Sequence, residues 1–100
     1  MEVRLQKYLA DCYRDGHYVR KSKKRMAEYI AICAQQGDEQ SLLRLARCYE
    51  RGIGVKEDRK ISYSYYQQLA QKGNGYAQKK VREYEYYGDF LFDRTKLEDL

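Results

Sequence analysis

One hundred residues, with 20 Lys and Arg, 15 Asp and Glu, a single His, no Trp and no Pro, leave room for one domain and exclude two independent cores. The formal charge of +5 is unevenly spread: residues 1–36 hold eight basic and four acidic side chains, residues 37–72 seven and five, and residues 73–100 five and six. A basic head and a slightly acidic tail bias encounter toward acidic partners or nucleic acid, and say little about fold.

The first helix is predicted over about residues 2–15, with Leu5, Leu9, Cys12 and Tyr13 at helical spacing on its inward face and Gly16 as its stop. Charges at Glu2, Arg4, Lys7, Asp11, Arg14 and Asp15 interrupt any apolar run of signal-peptide or membrane-spanning length, so a cytoplasmic setting is the expectation. The bend His17-Tyr18-Val19 follows, with His17 read as a solvated loop residue. Arg20-Lys21-Ser22-Lys23-Lys24-Arg25 is the densest charge run and reads two ways, as a solvated loop or as a polyanion-binding patch. Cations oppose the macrodipole at a helix N-terminus, so the run does not serve the helix that Ser22 caps. That second helix extends to about Gln36 and buries Met26, Tyr29, Ile30, Cys33 and Ala34, and Gly37 ends it.

Asp38 is the predicted N-cap of the third helix, whose inward stripe is Leu42, Leu45, Ala46, Cys48 and Tyr49. Tyr49 is expected to sit buried between its own hairpin and the next helix. Gly52 and Gly54 allow a tight bend, Val55 fills the crevice between helices, and Asp58 caps a fourth helix carrying Ile61, Ser62, Tyr65, Tyr66, Leu69 and Ala70 inward. Gly73-Asn74-Gly75 breaks it, and Tyr76 to about Tyr87 is the fifth helix, with Ala77, Val81 and Tyr84 as its stripe.

A shift of 36 positions maps Leu9, Ala10, Cys12, Tyr13, Gly16, Val19, Tyr29, Ala34 and Gly37 onto Leu45, Ala46, Cys48, Tyr49, Gly52, Val55, Tyr65, Ala70 and Gly73 without a gap. A fixed period of one helical hairpin predicts an all-α hairpin-repeat solenoid of about two and a half repeats: residues 5–37, 41–73 and a partial 77–88. Arg82 and Glu85 make the last helix polar where a further repeat would stack, and the tail 89–100, with Phe90, Leu91, Phe92 and Leu97, is expected to fold back and cap that end in a monomer, the alternative being that the acidic C-terminal end docks on another subunit or partner. In such a stack Cys12 and Cys48 sit about 10 Å apart on neighbouring helices, beyond disulfide reach. With Cys33 they read as small buried apolar residues of a reducing compartment.

The arrangement of Ser41, Leu45-Ala46, Tyr49, Gly52-Ile53-Gly54-Val55, Asp58, Ser62, Tyr65-Tyr66, Leu69-Ala70 and Gly73 resembles the Sel-one-like repeat, a relative of the tetratricopeptide repeat. Residues 5–37 are similar but lack the second Gly, and Ser22 replaces the Asp. Ser62 and Leu69 stand where the family has small residues. The resemblance implies α/α-hairpins in a right-handed superhelix whose first helices line a concave face, and a protein-binding adaptor role. Its disulfide-stapled secreted members do not match this cysteine pattern. Carried onto this chain, the concave face presents Arg4, Lys7, Tyr8 and Asp11, then Gln40, Leu43, Arg44 and Arg47, then Tyr76, Lys79, Lys80 and Glu83.

The leading reading is a non-enzymatic interaction module with a protein partner and neither metal nor cofactor. Partly exposed tyrosines are expected at Tyr8, Tyr18, Tyr63, Tyr76, Tyr86 and Tyr87, and suit contact work because each has an apolar body and a polar tip. The alternative is binding of nucleic acid or an acidic protein surface through Arg20, Lys21, Lys23, Lys24 and Arg25, for example as a small inhibitor of a nucleic-acid enzyme. Catalysis has little to stand on: one His, no nucleophile–base pair, no ligand cluster, and a Gly52-x-Gly54 without the third glycine of a nucleotide loop.

Overall fold

Each apolar stripe becomes a 13-residue helix in the computed structural model, which describes residues 2–88: α1 Val3–Asp15, α2 Lys23–Gln35, α3 Glu39–Arg51, α4 Arg59–Gln71 and α5 Gly75–Tyr87. The described residues contain no strand. Sequential helices pack antiparallel in an α-solenoid, and the expected capping tail, residues 89–100, lies outside the described residues. Four of the five starts are capped by side chains: Ser22 accepts from the Arg25 N–H, Asp38 from Ser41, Asp58 from Lys60 and Ile61, and Asn74 from Ala77.

The repeat seen in the sequence is a repeat in hydrogen bonding. The Ser22 N–H donates to the Tyr13 carbonyl at 2.9 Å, and its counterpart 36 residues on, the Asp58 N–H, to that of Tyr49 at 2.8 Å. Gly16 and Gly52 end α1 and α3 in the same left-handed conformation, with φ of 73° and 70°. The Tyr18 bend follows the path of the Gly54 bend even though it lacks the glycine, since Tyr18 takes φ 67° where Gly54 takes 74°. What differs is the surroundings. A Cβ on Gly54 would stand 2.2 Å from the Lys23 carbonyl oxygen, so the α3–α4 bend is pressed against the start of α2. The Tyr18 side chain is 83% exposed, and no helix precedes α1 among the described residues to crowd it.

Two apolar clusters lie one behind the other. The first joins Ala10 of α1, Met26 and Ile30 of α2, and Leu45 and Cys48 of α3. The second joins Leu42 and Ala46 of α3, Tyr66 and Leu69 of α4, and Ala77 and Tyr84 of α5. All three cysteines are buried and free, and burial pushes the Cys33 and Cys48 thiols up.

Three expectations about the core are corrected. Leu5 is 50% exposed and Leu9 half-buried, although their counterparts Ser41 and Leu45 are buried. Ser41 and Leu45 are covered by the hairpin in front of them, and among the described residues none lies in front of α1, whose buried residues are Gln6, Ala10 and Cys12. Ile61 is exposed rather than inward. Tyr49 is half-buried against Tyr65, ring centroids 6.0 Å apart, whereas Tyr66 is fully buried.

Polar groups also enter the second cluster. The Glu50 carboxylate accepts from the Tyr84 hydroxyl at 2.9 Å and the Tyr66 hydroxyl at 3.3 Å, and pairs with Lys80 at 2.9 Å. Ser62 is wholly buried and donates to the Ala46 carbonyl at 2.9 Å, tying α4 to α3. Burial, with the Glu50 charge beside it, pushes the Tyr66 phenol far up, and the Tyr84 phenol is pushed up to about 12, first by burial.

Three outcomes follow from this packing. Gly54→Ala, which combines a positive φ with a carbonyl in the way, destabilises by at least about 1–3 kcal/mol, while Gly75→Ala, with nothing within 4 Å of its added methyl, is neutral or slightly stabilising in the same urea melts. Tyr66→Ala costs roughly 3–5 kcal/mol and Tyr49→Ala clearly less; equal losses would contradict the burial described here. Because the folded chain holds the Tyr66 and Tyr84 phenols protonated above their ordinary value of 10.0, the unfolded chain binds fewer protons above that pH. Their contribution is fully present below pH 10 and is lost as pH rises from there toward 12, so alkaline titration of tyrosinate absorbance shows late-ionising tyrosines released together with unfolding.

Candidate functional site

The first helix of each hairpin, α1, α3 and α5, carries the residues assigned above to a binding face, and the fold brings many of them together. Lys7 of α1 donates to the Gln40 side chain at 2.6 Å and pairs with Asp38 at 3.4 Å. One turn further, Asp11 meets Arg44 at 3.0 Å. The guanidinium of Arg47 then lies over the Tyr76 ring, 5.0 Å from its centroid, and Lys80 is held between Glu50 and, at 3.9 Å, Glu83. These contacts form a ladder that crosses from helix to helix at successive turns, because the equivalent helices lie side by side with their outer side chains in reach.

Burial works against the charge of Asp38, but hydrogen bonds from the Ser41 hydroxyl and backbone and from Lys7 outweigh it and hold the carboxyl below the usual carboxylate range. Asp38 thus caps α3 and anchors α1 to it. A hydrogen bond from the neighbouring Arg14 guanidinium likewise holds the Asp15 carboxyl low.

Within this face the side chains have different parts. Arg4, Tyr8, Gln40, Arg47, Tyr76 and Lys79 are exposed. Leu43, placed on this face by the resemblance, is half-buried and packs against the cluster formed by α3, α4 and α5. Of the tyrosines expected at the surface, Tyr8, Tyr18, Tyr76, Tyr86 and Tyr87 are exposed, while Tyr63 is half-buried and stacks on Tyr84 at 5.5 Å.

Arg20, Lys21, Lys23, Lys24 and Arg25 are all exposed. Lys21 and Lys23 line a cavity between α1, α2 and α3, and Lys21 also borders, with Arg20 and Arg25, a shallow concavity beside Tyr13 and Val19. Tyr13 stacks on Tyr29 there, with ring centroids 5.7 Å apart. Sequence reasoning missed the Glu50–Tyr66–Tyr84–Lys80 network; its signal was Glu50 standing where the preceding repeat has Arg14. Among the described residues no group of three or more His, Cys, Asp and Glu side chains is placed to hold a metal ion, and no helix is long and apolar enough to cross a membrane.

Comparison with known proteins agrees with this geometry. The chain is 35% identical over 60 residues to DAP3-binding cell death enhancer 1 of Mus musculus, and equally to that of Rattus norvegicus; the match takes in 60% of this chain and 12% of the relatives' length. Among solved structures, a Sel1 repeat protein from Oxalobacter formigenes superposes with a TM-score of 0.73 at 30% identity, over 82% of this chain and 62% of that one. The protective antigen c5321 of uropathogenic Escherichia coli, which displays the same repeat fold, superposes with a TM-score of 0.75 at 31% identity, over 83% of this chain and 18% of that one. The Sel1 repeat itself is matched twice, over residues 4–38 and 40–74, one match for each complete hairpin. The chain belongs to the Sel1 repeat family.

Proposed function

We propose that this chain is a non-catalytic protein-interaction module that receives a protein partner on the face shared by α1, α3 and α5. Sel1 repeats generally mediate protein–protein binding, and the name of the mouse relative records a protein partner for that protein. The observation that carries the reading is the Arg47–Tyr76 pair: two exposed side chains of the types that dominate binding energy, held against each other across neighbouring helices before any partner arrives. An adaptor acting as a single copy in a reducing, cytoplasmic setting suits the three free buried cysteines.

A second reading, binding of nucleic acid or an acidic protein surface, is favoured by the exposure of Arg20, Lys21, Lys23, Lys24 and Arg25. Affinity purification of the tagged chain, with and without nuclease, separates the two. The expected result is a protein that co-purifies whether or not nuclease is added, and that is lost from Tyr76→Ala/Lys79→Glu while the melting temperature stays within a few degrees. Recovery that nuclease abolishes, or capture indifferent to that double substitution, overturns the assignment of this face.

A further inference from the structure

The shift of 36 relates the residues of the two inter-repeat junctions one to one, and each holds a cavity, about 350 Å³ where α1, α2 and α3 meet and about 410 Å³ where α3, α4 and α5 meet. The second cavity is satisfied from within. Glu50 reaches Lys80, Tyr66 and Tyr84, Glu57 pairs with Arg59 at 3.5 Å, and Glu83 adds a third carboxylate, so that its three acidic residues face Arg51, Arg59 and Lys80.

At the first junction the same positions carry different chemistry. Glu50, Glu57 and Glu83 are replaced by Arg14, Lys21 and Arg47, while Arg59 and Lys80 correspond to Lys23 and Arg44, which remain basic, and Arg51 corresponds to Asp15. Five cations therefore surround the opening. Two carboxylates outside the lining answer them, Asp11 at 3.0 Å from Arg44 and 3.5 Å from Arg14, and Asp15 at 3.0 Å from Arg14. The aromatic filling is missing as well: Tyr66 and Tyr84 correspond to Ile30 and Cys48, which with Met26 and Ile53 make an apolar floor. One junction holds its own carboxylates and phenol rings, and the other presents the cationic and apolar halves of the same arrangement.

We infer that the α1–α2–α3 junction accepts, from another protein, an acidic segment bearing an aromatic side chain, whose carboxylates and ring supply there what Glu50 and Tyr84 supply at the α3–α4–α5 junction. This rests on the interaction-module reading and adds to it a partner chemistry and a second contact point. A nucleic acid would satisfy the cations but leave the apolar floor uncovered, so the acidic aromatic peptide is the better complement.

Fluorescence anisotropy at physiological salt tests it with a labelled peptide, acetyl-Asp-Glu-Tyr-Glu-Asp-amide, a second peptide with Ser in place of Tyr, and an oligouridylate. The first peptide binds; exchanging its Tyr for Ser, or introducing Lys21→Glu/Lys23→Glu into the protein, weakens binding roughly tenfold or more. Arg14→Glu/Cys48→Tyr, which installs the groups of the second junction in the first, abolishes binding. Should that variant fail to fold, the lysine reversal, which touches only exposed side chains, decides the matter alone. No binding of the Tyr peptide, binding indifferent to the Tyr or to the lysines, or tighter binding of the oligouridylate overturns the inference. Nuclease-resistant capture of a protein persisting alongside any of these results leaves the interaction-module reading standing, and its loss in the purification above removes both.

Discussion

The approach of the α3–α4 bend to the start of α2, where Gly54 leaves no room for a methyl against the Lys23 carbonyl, sets how one hairpin sits on the next. In a solenoid each hairpin is stabilised chiefly by its neighbours, so a single inter-repeat spacing propagates to every contact along the stack. With that spacing fixed, Leu45 and Cys48 reach Met26 and Ile30, Asp38 reaches Lys7, and Asp11 reaches Arg44. The outer ladder is thus a consequence of the inner packing.

The same spacing explains the unequal burial of equivalent residues. Leu5 and Ser41 occupy the same place in successive repeats, yet one is half exposed and the other fully buried, because α3 has a hairpin in front of it and, among the described residues, α1 does not. Tyr18 is tolerated where Gly54 is required for the same reason. Burial here belongs to a residue's position along the stack as much as to its type.

Charge is arranged along the same axis. The α3–α4–α5 junction partly buries a carboxylate with its hydroxyl and ammonium partners in place, which offsets the cost of desolvating it. The α1–α2–α3 junction has an apolar core and a cationic rim. One scaffold therefore carries an internally paired junction beside a basic one, and the exposed Arg47 stands at the border between the basic cavity and the Tyr76 face.

The amino-acid sequence alone determined the period, the five helices, their stops at Gly16 and Gly52, and caps at Ser22, Asp38 and Asp58, because these depend on apolar spacing and on backbone preferences that act within a few residues. Arg47, Tyr76 and Lys79, read from the sequence as facing outward, are exposed. Only the tertiary structure decided that Leu43 is half-buried, that Leu5 is half exposed, that Glu50 joins two tyrosines and a lysine from other helices, and that Lys21 and Lys23 line one cavity with Arg44 and Arg47. Each of these turns on which side chain of a neighbouring hairpin arrives at a given point, and periodicity within one helix carries no record of that neighbour.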